Sequence, residues 1–190
     1  MGKGTIATLA IIGLVVALGA QQYISNANYG NRAEEGVDKE YENLQNVLSA
    51  YTLKIGDMAQ VPGLMRDDMK DVMVSVMTAR QGPDGSKAMF QWFKEHEINL
   101  SPEVYINIQD AMVAGRNEYK NQQTRFIDIK ATYVVNLGYF WKGTMLSAAG
   151  YPNINVGFPR GSQDDYEIVK SQSALDTFES GVDQGIKLGG

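Results

Sequence analysis

Cysteine is absent from this 190-residue chain, and histidine occurs once, at His96. Without thiols there is no disulfide framework, no thiolate nucleophile and no Cys-ligated metal. A lone histidine between Glu95 and Glu97, with no HExxH and no second His, does not make a zinc site. No serine stands in a G-x-S-x-G elbow for His96 to activate, so a solvated ring on a charged helix face is the simpler reading. The stretch Gly157 to Ser162 (GFPRGS) lacks the ending and the preceding strand of a phosphate loop and reads as a turn. The acidic pair Asp164 and Asp165 lacks the alternation of an EF-hand loop and reads as a helix N-cap. The sequence therefore carries no catalytic, metal-binding or cofactor-binding set, and the expectation is a non-enzyme.

Charge is missing from two long stretches. Between Lys3 and Arg32 no residue is charged, and Thr5 to Ala20 reads TIATLAIIGLVVALGA. Carried on to Tyr23 and Ile24, this approaches the ~20 residues a helix needs to cross a bilayer. Ile6, Leu9, Ile12, Leu14, Val16 and Leu18 would form the anchor, and Tyr23 and Tyr29 suit the far interface. The competing reading is a signal peptide, with small residues at Ala17-Leu18-Gly19; length favours the anchor. Lys3 and the free amine place the N-terminus in the cytoplasm and the rest outside it, periplasmic or extracytoplasmic. Gly13 and Ala17 form a small-xxx-small pair of the kind that lets spans approach closely. Setting aside the +1 of Lys3 from the formal net charge of −5 leaves −6 on the remainder. That balance disfavours nucleic acid as a partner, and also a polybasic grip on lipid.

Beyond the anchor the apolar pattern is helical. Residues 25–36 are polar, with two glycines, and read as a hinge or as a helix leaving the membrane. Val37, Tyr41, Leu44, Leu48, Tyr51 and Ile55 then form one amphipathic stripe. A second helix is predicted over Pro62 to Arg80. Met65, Met69, Met73 and Met77 run along one face of it, as core filling. Gln81 to Ser86 is a turn, and Lys87 to Ile98 a short helix in which Trp92 is a core residue. Ser101-Pro102 is an N-cap followed by Pro at the first helical position. The longest helix follows, its seam running from Val104 to Tyr133 and interrupted at Gly115 and Gln122. Sustained 3–4 spacing favours near-parallel packing of long helices. The region 137–190 is rich in Gly and aromatics up to Pro159 and ends in a weakly amphipathic helix over Gln163 to Leu188. The expectation is an all-α chain with four parts. These are a transmembrane anchor (1–24), a juxtamembrane linker or helix extension (25–36), an antiparallel bundle of long helices (37–136) and the Gly/aromatic-rich segment with its C-terminal helix (137–190).

Three stretches carry a family resemblance: VDKEYENLQNVLSAYTLKIGDMAQVPGLMRDDMKDVM, VMTAR and INIQDAMVAGRNEYKNQQTRFIDIKATY. With the N-terminal span, their order resembles the LemA family over roughly residues 1 to 136. Pro62 and Leu64 match the family's opening of the second helix, while its basic pair and its Asn are replaced. Gln109, Arg116, Asn117, Tyr119, Asp128 and Tyr133 match in the long helix. The resemblance implies a membrane-anchored antiparallel bundle facing away from the cytoplasm and brings no catalytic residues. One branch of that family is associated with forming magnetosome compartments, and members are common in large phage genomes.

The function expected is a membrane-anchored scaffold in a bacterial or phage envelope, self-assembling as a homo-oligomer and open to other envelope proteins as partners. The alternative is a membrane-tethered binding module for a small ligand, peptide or envelope polymer. The aromatic stretch, nearly uncharged apart from Lys142, supplies the expected oligomer contacts: Tyr139, Phe140, Trp141, Tyr151 and Phe158. Interfaces concentrate such side chains.

Overall fold

A computed structural model describes residues 2–78 and 84–166. Among them the secondary structure is helical, with no strand and one isolated antiparallel bridge between Val156 and Asp164. Helix α1 runs unbroken over Lys3–Met58. The 25–36 stretch is therefore an extension of the helix, and no hinge interrupts it. The apolar window at its start is uncovered by the other described residues. Ile6, Leu9, Ile12, Leu14, Val16 and Leu18 are all more than half exposed.

α1 ends where Gln60 turns left-handed, at φ 55°. The Val61 N–H then reaches back to the Gly56 carbonyl and the Gln60 N–H to that of Asp57. This 6→1 and 5→2 pair is a Schellman closure, and it buries Val61 as its hydrophobic partner. Pro62 does not open the second α-helix directly. It leads a 3-10 turn, Gly63–Met65, held by the Met65 N–H on the Pro62 carbonyl, and α2 follows over Arg66–Thr78. A tightened first turn of this kind is common at helix starts. Arg66 fastens the corner with an ion pair to Asp57 at 2.7 Å.

Helix α3 covers Asp84–Glu95, earlier than the predicted 87–98 at both ends. Its stop repeats the device at the end of α1: Glu97 is left-handed at φ 56°, and the Ile98 N–H returns to the Phe93 carbonyl. Helix α4, Pro102–Gly138, starts with the Ser101 hydroxyl accepting the Val104 N–H at 3.3 Å. Helix α5 is Phe140–Ala148. The predicted end of α2 at Ala79 and Arg80, the first half of the Gln81–Ser86 turn, and the tail helix from Glu167 onward lie outside the described residues; the second half of that turn, Asp84 to Ser86, is already helix.

The described residues form two compact units. One contains residues 42–125. Its core joins Leu44 and Ile55 of α1, Met69, Met73 and Met77 of α2, and Phe93 of α3, with Trp92 also buried. The methionine stripe is thus core. Gly115 of α4 sits in the seam, where a Cβ would fall 2.5 Å from Met77 Cε and 2.7 Å from the Tyr51 ring. The other unit contains α1 through Tyr41 and α4 from Phe126 onward, with α5 and the loop after it. Val37, Phe126, Tyr133 and Leu146 are its fully buried side chains.

Candidate functional site

In the unit that contains the start of α1, α1 and α4 are antiparallel neighbours. The Tyr41 ring lies 5.4 Å from that of Phe126, Gly36 faces Ile129, and Glu34 meets Tyr133. Each step along α4 toward its C-terminus is matched by a step along α1 toward the span. The α1 seam runs Asn26, Gly30, Glu34, Val37, Tyr41, Leu44, the same 4-3 spacing as the apolar stripe, continued by small and polar residues.

Glu34 is buried in this seam. Its Oε1 accepts the Tyr133 hydroxyl and the Asn153 backbone N–H, each at 2.7 Å, and its Oε2 accepts the Asn153 side-chain amide at 3.2 Å. Three donors offset the cost of taking a carboxylate out of water. One turn along, Asp38 accepts the Tyr166 hydroxyl. Burial, then the Glu34 carboxylate, push the Tyr133 phenol well above the usual 10.0, and burial with Asp38 does the same to Tyr166. Both phenols are held as donors.

The loop after α5 is tied down at several points. The Tyr151 ring covers Gly30, where a Cβ would fall 2.6 Å from it. The peptide bonds Tyr151–Pro152 and Phe158–Pro159 are cis. Hydrogen bonds Gly157 to Gln163 and Asp165 to Asn155 flank the Val156–Asp164 bridge. The Asp164 carboxylate accepts the Tyr166 N–H at 3.1 Å and pairs with Lys130; the helix it is expected to cap lies outside the described residues. The GFPRGS stretch is a turn as expected, with the Ser162 N–H on the Pro159 carbonyl.

The five aromatic residues singled out from sequence separate into two groups. Tyr151 and Phe158 are half-buried, on Gly30 and beside Gly138 respectively. Tyr139, Phe140 and Trp141 are exposed, Phe140 at 89%. They form the tip where α4 passes into α5. A bend at Tyr139 brings α5 so close to α4 that a Cβ on Gly143 would lie 2.1 Å from the Leu137 carbonyl oxygen. Lys142 sits with its ammonium 3.4 Å from the Tyr29 ring centroid, and burial pulls its pKa down. Sequence reasoning missed Glu34 and Asp38. The seam's spacing, followed backward from Val37, was the signal available.

His96 stacks on Trp92 at 4.1 Å, with Nδ1 2.9 Å from the Trp92 carbonyl oxygen. Among the described residues no group of His, Asp or Glu gathers as a metal site would. A cavity bounded by Phe90, Phe93, Lys94 and Tyr105 measures about 210 Å³, below the ~300–1,000 Å³ of ordinary ligand pockets. A larger concavity, about 580 Å³, is an open groove along α1 from Ala17 past Ile24 to Asn28 and Arg32. No protein-family model, curated protein or solved structure matches the chain.

Proposed function

We propose that this chain is a membrane-anchored structural protein, an antiparallel helical bundle tethered to a bacterial or phage envelope by α1, where it self-assembles and organises a membrane-associated assembly. One observation carries the reading: from Gly4 the start of α1 is uncharged, apolar and, among the described residues, uncovered, while the same helix continues without interruption into a packed core. A core helix of a water-soluble protein would be covered by its own chain. The LemA-like order of parts supports the same reading, and so does the uncovered Gly13, whose missing Cβ would meet nothing of its own chain.

Two measurements test it. After an alkaline carbonate wash the full-length chain should stay with the membrane fraction with its N-terminus intact. Release into the supernatant, or loss of residues 1–20, would overturn the anchor. In mild detergent the native mass should be a multiple of the protomer, and a strictly monomeric species would remove self-assembly from the proposal.

A further inference from the structure

The antiparallel register fixes the height of the exposed tip along α1. With Tyr41 beside Phe126, Gly36 beside Ile129 and Glu34 bound to Tyr133, the end of α4 reaches the level of Asn26 to Asn28. Lys142 on the Tyr29 ring fixes the same height independently. At about 1.5 Å per residue this level lies only ~3–6 Å beyond Ile24, the far end of the ~20 residues that would cross the bilayer from Thr5. A bilayer's headgroup layer is about 5–7 Å deep on each side. The tip therefore stands where Trp and Tyr are enriched in membrane proteins.

Charge points the same way. The chain as a whole is acidic, yet no acidic residue occurs before Glu34 or between Asp128 and Asp164. The charges in these two stretches, Lys3 apart, are Arg32, Lys130, Lys142 and Arg160; Lys130 is paired with Asp164, while Arg32 and Arg160 are exposed.

We propose that Tyr139, Phe140 and Trp141 form a second membrane contact, seated in the headgroup layer of the bilayer that α1 crosses, with the neighbouring cations facing anionic lipid. This rests on the anchoring reading above. The tip's uncovered rings then have a solvent that suits them: an amphipathic interface for Tyr139 and Trp141, and the upper acyl region for Phe140. Their position relieves them of any need for a protein partner.

The absence of cysteine makes the test direct, because a single introduced thiol is the only labelling site. Full-length Phe140→Cys, Trp141→Cys, Leu14→Cys and Val113→Cys would each carry a nitroxide. Each would be reconstituted in phosphatidylcholine–phosphatidylglycerol vesicles and probed by collision with oxygen and with a water-soluble nickel chelate. All four sites are exposed, so the fold should tolerate them. The expected result is a shift toward oxygen at Phe140→Cys and Trp141→Cys, smaller than at Leu14→Cys, against a chelate-dominated signal at Val113→Cys. A lipid signal at Leu14→Cys with a chelate-dominated one at both tip sites overturns the tip contact and leaves the anchor standing. A chelate-dominated signal at Leu14→Cys overturns both. Shielding of the tip labels from both probes, with dipolar broadening between copies, makes the tip a protein–protein interface and overturns the lipid assignment.

Discussion

Glu34 stands where the α1 seam would otherwise present an apolar side chain, and it holds α1, α4 and the loop after α5 at one point. Removing one donor tests how much of that depends on Tyr133. Tyr133→Phe should destabilise the protein by about 1–3 kcal/mol, the cost of leaving a buried polar group short of a partner, read as a lower melting temperature in detergent. The same pair sets a pH dependence. A phenol with a higher pKa folded than unfolded binds its proton more tightly in the native state. Its stabilisation is complete below the ordinary value of 10.0 and is lost as pH rises from there toward the folded value. The melting temperature should therefore fall above pH 10, and fall less steeply in a Tyr133→Phe/Tyr166→Phe variant whose starting value is lower. At the other unit's seam, Gly115→Leu should cost on the order of 1–3 kcal/mol by overpacking against Met77 and Tyr51. An unchanged melting temperature would contradict the close approach seen there.

Among elements, the helices were legible where hydrophobic periodicity was strong and obscure where the seam was polar. The stripe from Val37 to Ile55, the methionine face of α2 and the Ser101-Pro102 start of α4 could be read directly from spacing and capping chemistry. Residues 25–36 could not be assigned, because Asn26, Gly30 and Glu34 keep the seam's period without its hydrophobicity. Gly30 and Glu34 are covered by Tyr151 and Asn153, more than a hundred residues away in sequence. Tyr151 and Phe158 were grouped with Tyr139, Phe140 and Trp141 on composition alone, and composition does not distinguish a ring packed on a glycine from one at an open tip. Gly30→Ala tests that packing. The substitution favours the helix by roughly 1 kcal/mol in propensity, yet its Cβ collides with the Tyr151 ring. Helical content should hold while hydrogen exchange at the Asn153 amide accelerates, since that N–H is bound to Glu34 only when the loop lies against α1.

For the molecule as a whole, the contrast between the uncovered start of α1 and the packed residues after Val37 makes the span separable. A chain lacking residues 1–24 should be soluble and helical by circular dichroism; a largely disordered spectrum would mean that the bilayer or the assembly is needed for folding. If α1 crosses a bilayer as proposed, no break in the helix separates its span from the packing at Glu34, whose hydrogen bonds clamp α4 and the loop after α5 to α1 about two to three turns beyond Ile24. A span that meets a thinner bilayer normally adjusts by tilting. Here the tilt cannot be taken up in a linker, so the clamped unit must lean with it, pressing the aromatic tip toward the surface on one side or lifting it away on the other. Bilayer thickness becomes a quantity the protein converts into attitude, much as a keel set rigidly to a mast passes every change of heel to the whole vessel.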